Sequence, residues 1–202
     1  MSRNILISFW HFPIVTLGPG RRLGIWLQGC SIHCKGCIAP ENQPFDKNFS
    51  VSLDMLINEI APALNEACGV TISGGEPFDQ PEALIELLTE LNRLNIDDVL
   101  LYSGYKKADI LSKYPQIRDL AAALIDGQFI EGDITDAIWK GSANQTLTIF
   151  NEKYRELYET WSKLPKSNLQ FIKNKTGYYI IGIPRQDKNW KEKLLKSIGI
   201  EE

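Results

Sequence analysis

Three of the four cysteines, Cys30, Cys34 and Cys37, stand in the stretch "WLQGCSIHCKGCIAP" at the spacing C-x3-C-x2-C. Thiols packed this closely have a few ordinary uses. A disulfide would take two of them and a structural zinc would want four ligands, whereas an iron–sulfur cluster can use three and leave one iron open. A zinc site built from C-x2-C pairs would need a second pair, and the remaining soft donors are Cys68 and His33. Cys68 opens a β-like run and reads as a small buried hydrophobe. His33 reads as a surface residue or a neighbour of the ligands. The spacing favours an iron–sulfur centre, with zinc and with redox or inert thiols left open. A second stretch, "ISGGEP", complements the first. Gly74 and Gly75 allow close backbone approach, Glu76 adds a negative charge, and Pro77 stiffens the exit.

These residues need elements to carry them. The β-rich start and "LGIWLQ", Leu23 to Gln28, read as two strands, and the cysteines sit on the loop that follows. Loops after parallel strands are where such folds place their sites. Leu53, Leu56, Ile57, Ile60 and Leu64 have helical spacing behind the N-cap candidate Ser52, and Pro62 should kink or end that helix. "CGVTIS" is a short strand delivering "GGEP". Asp79 and Glu82 have capping-box spacing, Pro81 suits a first turn, and Leu84, Leu87, Leu88, Leu91 and Leu94 form one stripe. "DVLLYSG" and "AALIDG" repeat the strand-then-glycine pattern around helical "KKADILSKY" and "IRDLAA", which argues for a parallel sheet with right-handed crossovers. Further on, "NQTLTIF" reads as a strand, and Tyr154, Leu157, Tyr158, Trp161 and Leu164 as an apolar helical face. "NLQFIKNKTGYYIIGIP" reads as two strands around a Lys-Thr-Gly turn, and Trp190, Leu194, Leu195 and Ile198 as a closing helix. At 202 residues the expectation is one domain over 1–202, with a core at 1–148 and a C-terminal elaboration at 149–202.

Composition narrows the function classes. A formal charge of -3 supplies no basic field for general nucleic-acid binding. No stretch reaches the roughly 18 apolar residues of a membrane span. The start, "ILISFWHFPIV", lacks a small-residue cleavage site and contains His11 and Pro13, so it reads as a first buried strand and not as an export signal. The expected compartment is the reducing cytoplasm, where close cysteines bind metal or do chemistry.

"GCSIHCKGC" followed by "ISGGEP" resembles the radical S-adenosylmethionine (SAM) enzymes. The resemblance implies a [4Fe–4S] cluster on Cys30, Cys34 and Cys37 whose open iron takes the amino and carboxylate groups of SAM. It further implies reductive cleavage of SAM to a 5′-deoxyadenosyl radical that abstracts hydrogen, with Gly36, Gly74, Gly75 and Glu76 at the cofactor. Its fold implication is α/β, a partial, incomplete parallel β/α barrel with a C-terminal hairpin and helix. "LGPGRRLGIWLQGC", "LLYSGY", "LIDGQF" and "KGSANQTL" are similar to segments of the glycyl-radical activases, above all the activating proteins of anaerobic ribonucleotide reductase. By matching position, that likeness nominates Ser103, Asp126, Gln128 and Asn144 for SAM or nearby polar contacts, and Arg21 or Arg22 for the mouth of the site. It implies an electron donor such as flavodoxin or ferredoxin and a glycyl radical enzyme as partner. Departures stand at Gly36, where many superfamily members carry an aromatic, at Leu17 in place of aspartate, at "IAPEN" after Cys37, and in the length beyond Asn151. Two alternatives stay open: a radical SAM enzyme acting on a small molecule or peptide, and a zinc-stabilised interaction protein.

Overall fold

The computed structural model describes residues 3–166, 169–174, 177–184 and Lys196. The expected two strands at the start are a long β1 (Asn4–Ile14) and β2 (Arg22–Leu27), the latter buried along its whole length. A short β3 (Ser50–Ser52) leads into α1 (Leu53–Leu64), whose N-cap is Ser52: its hydroxyl accepts from the Met55 N–H at 3.2 Å. Pro62 lies in the last turn of α1, where the helix can still satisfy most of its carbonyls before stopping. β4 (Gly69–Gly74), α2 (Pro81–Arg93), β5 (Val99–Ser103), α3 (Lys107–Lys113), α4 (Ile117–Leu120) and β6 (Ala123–Asp126) then alternate. β7 (Thr146–Ile149), α5 (Arg155–Ser162) and the hairpin β8 (Gln170–Asn174) and β9 (Gly177–Ile181) complete the described elements. The closing helix expected around Trp190 to Ile198 lies outside the described residues, except for Lys196.

Seven strands form one sheet in the order β3-β1-β2-β4-β5-β6-β7. The inner four, β2, β4, β5 and β6, are parallel, as the strand and helix alternation predicts. The sheet as a whole is mixed, because β1 and β7 run antiparallel to their neighbours β2 and β6. The reason between β1 and β2 is connection length: residues 15–21 are too few for a crossover of the dozen or so residues that parallel pairing needs. The chain is therefore an α/β fold with a mixed seven-stranded sheet and a separate two-stranded hairpin.

Alternate strand residues serve two cores. Ile25, Ile72 and Leu101 pack with Leu56 and Ile60 of α1 and Leu84, Leu87, Leu88 and Leu91 of α2. On the other face Leu100, Ala123 and Ile125 pack with Trp139, Tyr158 and Trp161, and Trp26 packs with Ile14, Leu17 and Ile181 of the hairpin. Burial on both faces is what makes the inner strands mostly apolar, the buried Thr71 being bonded to Leu17 O and to Arg22. The stripe expected on α5 is narrower than its sequence suggests. Tyr158 and Trp161 are buried, whereas Leu157 is 45% exposed, and Leu164, beyond the end of α5 at Ser162, is 48% exposed.

Candidate functional site

The C-terminal ends of β2, β4, β5 and β6 carry the cysteine loop, "GGEP", "SGY" and "DGQ" respectively, so the parallel core brings four distant polar segments to one edge. The first junction is made by backbone against backbone. Gly75 N–H donates to Leu27 O at 2.7 Å and Glu76 N–H to Gly29 O at 2.8 Å. A Cβ on Gly75 would stand 2.0 Å from Gly29 O. Gly74, at φ +104, would place a Cβ 2.4 Å from Leu27 N. The paired glycines are thus what allows β4 to close against the root of the cysteine loop.

The loop is held at its root from the other side as well. Gly29 N–H donates to Asn42 O at 2.8 Å and Cys30 N–H to Gln43 O at 2.9 Å, while the Ser8 hydroxyl meets Asn42 Oδ1 at 2.7 Å. Gln28, 1% exposed, donates from Nε2 to Glu41 O at 3.0 Å and Pro44 O at 2.8 Å, closing the return of the loop. Cys30, Cys34 and Cys37 are half-buried and unpaired thiols. Burial raises the Cys30 thiol, the backbone N–H groups of His33 and Ile32 lower it, and the Glu76 and Asp79 carboxylates raise it further. Burial likewise raises Cys34; the Phe129 N–H and the Gln128 side chain act on it in the opposite sense, and Cys37 adds to the rise. Among the described residues no three His, Cys, Asp or Glu side chains are already gathered as a metal-binding group. The donor set nonetheless fits an iron–sulfur cluster: three unpaired thiols share one loop, and amide N–H groups face two of the sulfurs, the kind of hydrogen bond that tunes such clusters. His33 is exposed, with Nδ1 3.3 Å from Gln43 Oε1. Gly36 lies beside Glu131, whose Oε1 would be 2.8 Å from a Cβ there, and Lys35 pairs with the same Glu131 at 3.2 Å.

Glu76 points inward and not to the surface of the loop. It is 2% exposed and accepts from Phe78 N–H at 2.9 Å, Ser103 Oγ at 2.8 Å and Gly104 N–H at 2.7 Å. Burial outweighs these donors and pushes its pKa up to about 7. Ser103 is thereby committed to Glu76, and its oxygen also accepts from the Tyr105 N–H at 3.0 Å. Asp126 accepts from Lys107 N–H at 2.8 Å and from the Thr146 hydroxyl, which ties β6 to the start of α3 and to β7. Asn144 donates to Gln128 O at 2.8 Å and accepts from Ser142 Oγ at 2.6 Å, and Gln145 donates to Gly127 O at 2.9 Å. These amides zip the "GSANQT" segment onto the loop after β6. Of the positions nominated by likeness, Gln128 is the one whose side chain faces a cysteine.

Three expectations are corrected. Arg22 is 0% exposed and begins β2, at the opposite end from the cysteine loop, so it is not at the mouth. Its guanidinium bonds Asp98 Oδ2 at 2.8 Å, Thr71 Oγ1 at 2.8 Å, Val70 O at 2.7 Å and Tyr158 OH at 3.2 Å. Arg21, which precedes it, is exposed at that same end and lies over the Phe12 ring. Cys68 is exposed, since it precedes β4 and lies outside the buried part of the run. Asp79 does not cap α2: the N-cap is Gln80, and Asp79 ends the 3-10 turn Pro77–Asp79 with its carboxylate turned to Ser31. Sequence reading missed Ser31, Tyr105 and Gln80 altogether. The Gln80 side chain accepts from Leu6 N–H at 2.7 Å and donates to Gln28 O at 3.0 Å, pinning β1 and β2. A short polar side chain just after a ligand-spaced cysteine was the one available signal for Ser31.

A family model for the 4Fe–4S single cluster domain matches residues 16–148. The chain belongs to that family. Its relatives include anaerobic ribonucleoside-triphosphate reductase-activating proteins. That of Escherichia coli (strain K12) is 29% identical over 150 residues, 68% of this chain and 94% of the relative. That of Pasteurella multocida (strain Pm70) is 30% identical over 162 residues, 72% and 98% respectively. That of Enterobacteria phage T4 is 30% identical over 141 residues, 64% and 85%. The 4Fe–4S family membership supports the iron–sulfur reading of the cysteine loop over the zinc alternative. Among the described residues no helix is long and apolar enough to cross a membrane.

Proposed function

We propose that this chain is a radical SAM activase that installs a glycyl radical on an anaerobic ribonucleotide reductase. The observation that carries the reading is the meeting of the Cys30, Cys34 and Cys37 loop with "GGEP" at one end of the parallel strands, in a chain whose relatives are named as activating proteins of that reductase. Cys30, Cys34 and Cys37 would hold a [4Fe–4S] cluster through three of its irons. The chemistry that centre supplies when bound is one-electron reductive cleavage of the SAM sulfonium.

The residues of the chain do the rest. Gly75, by allowing contact with Gly29, keeps the "GGEP" turn against the cysteine loop, so an amino-acid ligand can reach both. Glu76 braces the ends of β4 and β5 through Ser103 and Gly104 and so holds the shape of the turn on which a bound ammonium group would sit. Gln128 and Phe129 N–H close the side of Cys34. Asn144 and Gln145 hold the loop after β6 over the same edge, which limits water there. The electron donor is a small reduced protein of the flavodoxin or ferredoxin class, working in the cytoplasm.

Anaerobic reconstitution should give about four irons and four sulfides per chain, and added SAM and reductant should yield methionine and 5′-deoxyadenosine. An EPR doublet should then appear on the reductase. SAM cleavage without a doublet on any candidate reductase would overturn the activase reading, and multiple turnovers of a metabolite or peptide by the chain alone would establish the alternative. That alternative has one observation in its favour: α5 and the β8–β9 hairpin add covering to one face of the sheet beyond the 16–148 family match. Cys34→Ala should abolish the cluster and SAM cleavage with the far-UV circular dichroism unchanged.

A further inference from the structure

Asp79 lies five residues past Gly74, in a turn the proposed chemistry does not use, yet it accepts three hydrogen bonds beside the cysteine loop. Its Oδ2 accepts the Ser31 N–H at 2.6 Å. Its Oδ1 accepts the Ser31 hydroxyl at 2.9 Å and the Tyr105 hydroxyl at 2.8 Å, and the two hydroxyls stand 2.9 Å apart. Ser31 is the residue directly after Cys30, so fixing its N–H fixes the peptide plane that carries the Cys30 carbonyl and limits the rotation of the Cys30 backbone. The anchors described above act on Gly29 N–H and Cys30 N–H, from the Asn42 and Gln43 side. Asp79 acts from the opposite side, on the far peptide of the same cysteine. The carboxylate is in turn immobilised by two chain segments, the 3-10 turn after β4 and the loop after β5 where Tyr105 sits.

We infer that Asp79, with Ser31 and Tyr105 as its partners, is a positioning residue for the cluster: it locks the Cys30 side of the loop in the ligating conformation and sets a fixed negative charge beside the centre. The inference rests on the iron–sulfur reading of the cysteine loop. Two consequences follow from elementary chemistry. Losing the bond between the carboxylate and the Ser31 N–H frees one ligand of three, so the cluster should be lost faster. Removing a nearby negative charge favours the more reduced, more negative cluster, so the reduction potential should rise.

The test uses the full chain, reconstituted anaerobically with iron and sulfide. The variants are Asp79→Ala, Asp79→Asn, Ser31→Ala and Tyr105→Phe. Iron and sulfide content, the rate of cluster loss to a chelator, the midpoint potential and the melting of the metal-free chain are each measured. Asp79→Ala should lose its cluster about tenfold faster, the factor equivalent to 1.4 kcal/mol. Asp79→Asn keeps the size of the side chain and should shift the potential upward. Tyr105→Phe and Ser31→Ala should speed loss less, because each leaves the Ser31 N–H bond in place. Wild-type lifetime and wild-type potential in both Asp79 variants would overturn the inference. So would a lowered melting temperature of the metal-free Asp79 variants with no change of potential, which would mark a merely structural role. A wild-type chain that takes up no iron and sulfide would overturn the parent reading and this inference with it, whereas a loaded wild type with indifferent variants overturns this inference alone.

Discussion

Glu76 is a single carboxyl group under opposed demands: burial penalises its charge while three donors favour it, and burial prevails, with a pKa of about 7 against an ordinary 4.5. The native state therefore holds a proton that the unfolded chain releases from about pH 4.5 upward. The stabilisation this gives is complete below that pH and is lost as pH rises through about 7. The amplitude is about 3 kcal/mol from the size of the shift. Urea unfolding of the metal-free chain between pH 4.5 and 8 should show stability falling with pH, and Glu76→Gln should remove that difference. In the loaded chain the same variant should keep the cluster but bind SAM more weakly, and unchanged affinity would refute the bracing role given to Glu76. That a charged residue belongs in this turn was legible from "GGEP". That it faces Ser103 and Gly104, 27 and 28 residues on, was not, because its partners are chosen by the alignment of β4 with β5.

At the scale of elements, the contact between β4 and the cysteine loop depends on two residues without side chains. Gly75→Ala would drive a Cβ to 2.0 Å from Gly29 O, a backbone atom that has no rotamer by which to escape. The expected cost is about 1–3 kcal/mol, read as a lower urea midpoint, together with a large fall in iron bound after reconstitution. A variant that loaded iron normally would show that the loop does not need this contact. The strands and helices themselves were largely legible, since the apolar spacing that marks α1 and α2 is the spacing their packing requires. The antiparallel directions of β1 and β7 were not, because a short apolar run looks alike in either direction.

The whole molecule is tied together at the end away from the site. Arg22, Asp98 and Tyr158 join β2, the lead-in to β5 and α5 in one buried network, with Tyr158 OH donating to Asp98 Oδ1 at 2.6 Å. Tyr158→Phe leaves a buried carboxylate oxygen short of a donor and should cost about 1–3 kcal/mol. Arg22→Ala leaves Asp98 buried and unpaired and should cost about 3–5 kcal/mol. Denaturant titration of both variants checks the order, and equal small losses would show that α5 is not anchored here. The lead-in "GPGRR" joins this network, with Pro19 O accepting from Arg22 Nη1 at 3.3 Å.

The amino-acid sequence by itself determined the candidate ligands: three thiols within one loop and a glycine pair before a carboxylate are local patterns, and local spacing survives any way of folding. It also determined the alternation of strands and helices, for the same reason. Only the tertiary structure decided which polar groups meet. Asp79 serves Ser31 instead of a helix cap, Arg22 is sealed in the core instead of standing at the mouth, and Cys68 is exposed instead of buried. A polar side chain takes the best partner within reach, and reach is set by how strands far apart in sequence are aligned. At "GCSIHC" that alignment made Ser31 one of the points where the loop is held.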